Sequence, residues 1–497
     1  MTTARQPSPT WRISLLIAVA AVQLGILWVT QIPLGVPGEW VWPRQDFSSE
    51  SLFGLLLLLP ACAGYIWFVR DGFRSIAGLS LWQRRSRLAL LYALSVAWTF
   101  LTLWSLPGTQ GLPRLPLTLY LHGTSGYFEQ AQEIEDISEF LKTYPQRIAD
   151  PSQPENYLHL GTHPPGLTLG YRVLLNACEA SPVLQWLGTS TQPAEVRDVL
   201  SSLRSIHPDR LTPAASACVW LSGCLMVFVA NLALLPLYGV VARTASLPQG
   251  WLAAALWPLI PSLLIFLPKS DFIYPLIALA AQLCWIWALE DRPVWSCMTG
   301  FILSLGMWLS LAMVPVGAIL FLQWVLAVAR SEKRLKMFSV AGWGALGFVL
   351  PVLVAMLAGV QLPLIWLRNY GNHAAFYDHN LRTFWLWLPV NVVEAGFSIG
   401  LPIVAWGLLA VRQSKSRRRH SAPLCALAIW GLLWLTGKNM GEAARLWGML
   451  FPFAIWAAMP TPIEESDQET EVTVLLVAQT LVAIGTVLRV KGLDFGV

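Results

Sequence analysis

The chain reads as an all-α polytopic membrane protein, and two observations carry that reading. Of its 497 residues, 55% are hydrophobic and only 12% are charged, against about a quarter charged in a soluble domain. The hydrophobic residues recur in runs of about 17 to 25, long enough to cross a bilayer as helices. A helix satisfies its own backbone polar groups inside hydrocarbon, which open strands and loops cannot do. The mean hydropathy of +0.55 agrees. The net charge of +5 is a topology signal, because the basic residues concentrate in particular loops; it gives no reason to expect nucleic acid. The seven cysteines lie mostly inside apolar runs without metal-type spacing and read as small core residues.

The first run, residues 13–30, follows Arg5 and Arg12 with no small-residue cleavage site behind it, and reads as an uncleaved span. Trp40 and Trp42 suit the interface that follows. A second span, 52–69, leads to a loop with Arg70, Arg74, Arg84, Arg85 and Arg87, which the positive-inside rule makes cytoplasmic along with the N-terminus. A third span, 88–106, exits to a large soluble-looking segment, 107–212, expected on the outer face. Within that segment, 127–144 and 194–206 read as juxtamembrane amphipathic helices. The apolar run 166–177, about a dozen residues, is too short to cross and reads as a helix on or dipping into the outer leaflet. Thr162 reads as its N-cap, with Pro164 and Pro165 in its first turn.

Later runs at 213–238, 251–267, 273–289, 294–329 (two short spans hinged near 313–315), 338–357, 391–411, 424–436, 446–459 and 472–488 bring the expected total to about 13 spans, within about 11 to 14. Basic stretches at 330–336 and 412–419 mark inner loops. The expected organisation is an N-terminal three-span segment (1–106), the large outer loop (107–212), a transmembrane core (213–360), an outer loop (361–390) and a C-terminal transmembrane segment (391–497).

This topology collects the polar residues at one face. The stretch YLHLGTHPPGLTLG at 157–170 brings His159 and His163 to a loop-to-helix junction, where imidazole can bind or change charge near neutral pH. Lys269 and Asp271 follow at a span end, then Asn372, His373, Phe376 and Tyr377, then Glu442 and Arg445. Ionisable groups near the membrane are costly and so are functional candidates. Glu129, Glu133 and Asp136 fall at i, i+4 and i+7, on one face of an expected helix. Structural alternatives stand beside each: a headgroup marker for Lys269 and Asp271, a local i, i+3 pair for Glu442 and Arg445, a solvated face for the three acids, and an aromatic belt around Tyr377. No P-loop, no GxGxxG after a strand, no HExxH and no GxSxG is present. Any donor substrate must then be reachable from the outer face, which argues for a lipid-linked one.

The order of motifs is similar to that of the GT-C superfamily of integral-membrane glycosyltransferases. A span precedes a long outer segment with YF-x-x-A (Tyr127, Phe128, Ala131), then HPPG (His163, Pro164, Pro165, Gly166) opens a short helix, and P-x-x-D (Pro268, Asp271) follows at the next outer connection. The group includes protein O-mannosyltransferases, lipid A aminoarabinose transferases and lipopolysaccharide galacturonosyltransferases. KNMGEAARLW at 438–447 resembles a C-terminal motif of uncharacterised bacterial members, planctomycete ones included. The resemblance implies a bacterial cytoplasmic-membrane enzyme with a periplasmic active face. It implies a polyprenyl-phosphate sugar as donor and a glycan, lipid or protein as acceptor, with a divalent cation (Mg or Mn) left open.

One departure matters. The family places an acid a few residues before the tyrosine, where this chain has Gly123 and Thr124. The base is then expected from Asp271, Glu442, Glu129, Glu133 or Asp136, with Asp271 and Glu442 preferred. Arg445 is the choice for the lipid phosphate, since its donor fork matches phosphate oxygens. His163, His159, Lys269, Asn372, His373 and Tyr377 are expected to bind substrate. Two other readings remain: a transporter or flippase of a lipid-linked or anionic solute, which suits Pro-interrupted spans, and a non-catalytic protein of the same fold.

Overall fold

Helices account for nearly every described element, as the apolar runs require. The structure, a computed structural model, describes residues 9–47, 49–149, 160–290, 292–413, 421–459, 468–493 and 495. Among these, nine helices are long and apolar enough to cross a membrane, or ten when one bent pair is taken as a single span. Three shorter apolar helices, Trp295–Leu309, Ser421–Leu435 and Gly448–Ala458, occupy other runs expected as spans. The protein is an all-helical, multi-pass membrane protein. Its described strands are the two-residue pair Gly35–Val36 and Trp40–Val41.

Two expectations change in detail. The run 391–411 is not one straight span: Phe384–Ile399 and Leu401–Ala410 meet at 98°. Gly400 makes the corner with a φ of +101°, a region that favours glycine. A side chain there would also run into the Gln479 carboxamide at 2.3 Å. Residues 361–390, expected as a loop, instead contain the helix Leu362–His379 and the start of Phe384–Ile399.

The chain divides into two compact units, each assembled from separated stretches. One comprises the described parts of Met1–Pro107, Asn231–Phe266 and Phe384–Gly492. Its centre is the segment Leu247–Phe266, wholly buried within the protein from Gln249 onward. Pro258 and Pro261 interrupt the helix hydrogen bonds there, and neighbouring side chains satisfy backbone carbonyls around the break. Tyr65 donates to Ala255 (2.8 Å), Trp98 to Pro258 (3.1 Å) and Gln479 to Leu259 (2.9 Å). Arg12, on Pro9–Trp28, pairs at 3.2 Å with Glu471, on Gln468–Val487; both are buried.

The other unit comprises Gly108–Ala230, Leu267–Thr383 and the described part of Leu493–Val497. Its longest seam joins Trp295–Leu309 to Arg334–Leu357 through glycines. A Cβ on Gly300 would lie 2.0 Å from the Gly344 carbonyl, and one on Gly347 would lie 1.9 Å from that of Cys297. Small residues let membrane helices approach this closely, where lipid provides no hydrophobic drive between them. The segment between the spans is docked rather than loose. Phe140, Tyr144 and Ile148 pack with Val352, Leu362 and Ile365 in one apolar cluster.

Candidate functional site

The HPPG junction differs from its expected form in a way that explains its sequence. The helix begins at Gly166 and runs to Ala180. Pro164 and Pro165 therefore precede it, and Thr162 does not cap it; the Thr162 hydroxyl lies 3.0 Å from His163 Nδ1 instead. The glycine is needed because a Cβ at 166 would sit 2.4 Å from the Trp308 carbonyl. The turn itself is held by its backbone. The His163 carbonyl accepts from Tyr144 Oη (2.8 Å) and Asn369 Nδ2 (3.0 Å), and the Gly161 carbonyl accepts from Asn369 (2.7 Å) and Asn372 (2.9 Å).

This junction meets the other motifs. The His163 ring lies edge-on to Tyr127 at 5.8 Å. Phe128 and Ala131 are fully buried, Phe128 packs on Tyr171 at 6.3 Å, and Thr168 donates to Gln130 at 3.0 Å. YF-x-x-A is thus the face by which the short helix Tyr127–Gln132 docks on Gly166–Ala180. Lys269, buried in the P-x-x-D turn, donates to the Thr124 carbonyl and ties that turn to the loop carrying His122. The motifs therefore converge in one unit.

At this convergence Glu129 stands between two partners. His122 Nδ1 lies 2.6 Å from its Oε2, and Arg210 donates to its Oε1. Partial burial raises the Glu129 carboxyl, but hydrogen bonds from His122 and Arg210 outweigh it and hold the group below its ordinary range. An ionised carboxylate can only accept here, so a neutral imidazole carries its N–H on Nδ1, donates it to Glu129, and leaves Nε2 as the acceptor. Beside the pair lies a polar cavity of about 300 Å³, with Glu129, Glu133, Glu179, Asp209, Arg172 and Arg210 among its lining. Its acids and guanidinium groups suit the hydroxyls of a sugar, each of which both donates and accepts.

The three loop acids separate. The expected helix 127–144 is broken into Tyr127–Gln132 and Ile137–Arg147, so Glu129, Glu133 and Asp136 do not share one helix face. Asp136 is an N-cap, accepting from the Ser138 and Glu139 amides at 2.6 and 3.1 Å, which accounts for it structurally. Asn372 likewise serves the backbone, donating to Ile148 and Gly161. His373 and Tyr377 lie one turn apart on Leu362–His379, their rings tilted at 54° with centroids 6.4 Å apart. Asp271 sits half-buried in the turn Ser270–Phe272. His159 lies outside the described residues. Among those described, no group of three or more His, Cys, Asp or Glu is placed to hold a metal ion.

Glu442 and Arg445 belong to the other unit, where they pair at 3.0 Å. Glu442 has a φ of +56° and Asn439 a φ of +62°, conformations that cost non-glycine residues energy and persist only when the surroundings enforce them. The helix Phe384–Ile399 does so. Asn391 donates to the Asn439 carbonyl (3.2 Å) and accepts from the Gly441 amide (3.3 Å), and Glu394 accepts from the Ala444 amide (3.1 Å). His122, Arg172, Glu179, Asp209, Arg210 and Glu394 were not singled out by the sequence. A histidine seven positions before Glu129 was the one signal for His122, and Arg210 is 81 residues away from its partner.

No protein-family model matches the chain, and no curated protein does. Among solved structures it is similar to the Archaeoglobus fulgidus oligosaccharyltransferase, crystallised with Zn and sulfate. The two are 14% identical over 72% of this chain and 49% of that one, with a TM-score of 0.39. The chain spans about half the length of that structure.

Proposed function

We propose that the protein is a membrane glycosyltransferase that moves a sugar from a polyprenyl-phosphate donor to a hydroxyl of a glycan, lipid or protein at the periplasmic face of a bacterial cytoplasmic membrane. The observation that carries the reading is the His122–Glu129–Arg210 group, with Glu129 and Arg210 lining a polar cavity, in the unit where the HPPG and P-x-x-D turns contact the segment that carries YF-x-x-A. In this reading His122 is the base and Glu129 its orienting partner, which replaces the preference for Asp271 and Glu442. The acceptor hydroxyl attacks the anomeric carbon while its proton passes to His122 Nε2, and the bond to the phosphate oxygen breaks with its electron pair on the lipid phosphate. Glu129 fixes the imidazole tautomer and stabilises the imidazolium that forms, as a carboxylate does in other His–carboxylate pairs. Arg172 and Arg210 are the guanidinium groups at this cavity that can meet the developing phosphate charge.

The test is to incubate purified protein with a panel of polyprenyl-phosphate sugars and follow release of the lipid phosphate. At least one donor is expected to be consumed. His122→Ala should slow that reaction by roughly 10²–10⁴-fold, the usual worth of a general base. Failure of the wild type to consume any donor, with solute movement in liposomes instead, would favour a transporter.

A further inference from the structure

The short helix Pro182–Ser190 follows Gly166–Ala180 after a one-residue corner at Ser181. The Ser181 hydroxyl caps it, accepting from the Leu184 amide at 3.3 Å. No charged residue occurs between Glu179 and Glu195. Val183, Trp186 and Leu187 fall at i, i+3 and i+4, on one face of the helix. That face is turned away from the protein: the three are 70%, 66% and 39% exposed.

Where the helix is fastened sets its depth. A Cβ on Gly188 would lie 2.5 Å from that of Ala217, so the helix backbone rests directly on the span Pro213–Thr244. Trp220 donates to Thr191 at 3.0 Å. Both contacts fall within the first eight residues of that span. The span has 32 residues, roughly 48 Å of helix at about 1.5 Å per residue. Hydrocarbon is only about 30 Å thick, and even a tilt of about 40° leaves a rise of roughly 37 Å. The ends of the span therefore project into the interface, and a helix held at its first eight residues lies at the bilayer surface. Further along the span, Leu225 and Phe228 also remain exposed, as side chains that meet lipid do.

The backbone suits a place with little water. A helix leaves its last carbonyls without partners in the helix ladder, and here hydroxyl groups cover them. Thr189 donates to the Gln185 and Trp186 carbonyls at 2.8 and 3.2 Å, and Thr191 donates to that of Leu187 at 2.7 Å. Gln185 donates to the Cys178 carbonyl at 2.9 Å, at the end of the preceding helix. The next helix, Ala194–Ile206, has a different character: it carries Glu195, Arg197, Asp198 and Arg204, and most of its residues are exposed.

We propose that Pro182–Ser190 is an interfacial foot, lying in the bilayer surface with Val183, Trp186 and Leu187 inserted among the first acyl carbons of the phospholipids. Tryptophan favours that boundary, where an apolar ring and a polar N–H are both accommodated. The foot also sets the height of the helix before it. Arg172 and Glu179 on Gly166–Ala180 line the polar cavity, which the foot holds at the level of the lipid headgroups. The partner is the bilayer itself, and the inference does not rest on the transferase reading.

The experiment uses full-length protein in phosphatidylcholine nanodiscs. A ketone-bearing amino acid replaces Val183 or Trp186 singly and is coupled to a nitroxide, so the native cysteines stay in place. Power saturation with oxygen and with a water-soluble nickel chelate then gives the depth of each label. Asp198, exposed on the charged helix, and Leu346, 50% exposed near the middle of the span Arg334–Leu357, are the aqueous and deep controls. Labels at 183 and 186 are expected about 5–10 Å below the headgroup boundary, shielded from nickel relative to 198 and shallower than 346. Nickel access equal to that at 198 would place the helix in water. A depth equal to that at 346 would make it re-entrant, and shielding from both reagents would mean that a protein covers the face. Each of these results would overturn the proposal. The wild type supplies a readout without substitution: phosphatidylcholine with a diazirine near the carbonyl end of its acyl chain should label 182–190. Absence of label there would likewise overturn it.

Discussion

Replacing Glu129 by Gln should separate stability from turnover. The carboxylate holds two donors, His122 and Arg210, and a carboxamide has one oxygen to offer them, so one bond is lost and the other loses the carboxylate's charge. A charge-assisted hydrogen bond is worth about 1.5–3 kcal/mol. Here the His122 and Arg210 side chains are 44% and 57% exposed, and solvent screening reduces the loss to about 1 kcal/mol of stability. The catalytic loss should be far larger, roughly 10²–10⁴-fold, because the imidazole loses its orienting partner and the charge that stabilises its protonated form. The pH dependence has a definite sign. Glu129 is held below its ordinary range in the folded protein, so its stabilisation is fully present above the unfolded carboxylate range. It is lost as pH falls through the lower folded value. Glu129→Gln should remove that acid-side loss. The assay pairs unfolding of wild type and variant at neutral and acidic pH with release of lipid phosphate at neutral pH. A variant within about threefold of the wild-type rate, or one whose rate falls only as folded protein is lost, would refute the assignment.

Two further outcomes test the scaffold. Glu471→Gln removes the carboxylate charge that pairs with buried Arg12 and should destabilise the protein by about 3–5 kcal/mol, whereas Arg12→Leu combined with Glu471→Leu should recover most of that loss, as hydrophobic replacements of buried pairs do; chemical unfolding in detergent measures both. Gly166→Ala places a methyl 2.4 Å from the Trp308 carbonyl and should cost about 1–3 kcal/mol, with a fall in donor turnover as the Tyr127–His163 contact shifts.

The composition and apolar runs by themselves determined the class, because only helices can bury every backbone group in lipid. They also located the HPPG, YF-x-x-A and P-x-x-D segments, and these converge within one unit. They did not decide which acid matters. Glu129, Glu133 and Asp136 share a face only if the helix is continuous, and Asp136 ends that continuity by capping the next helix. Nor could spacing reveal that His122, Glu129 and Arg210 meet, since Arg210 joins them from 81 residues away. Glu394 sits in a run that reads as ordinary membrane helix, and its role depends on Trp42, 352 residues earlier, donating to one of its oxygens. Local pattern fixes which segments become helices. Long-range contacts decide which polar atoms are satisfied and which are left over for chemistry.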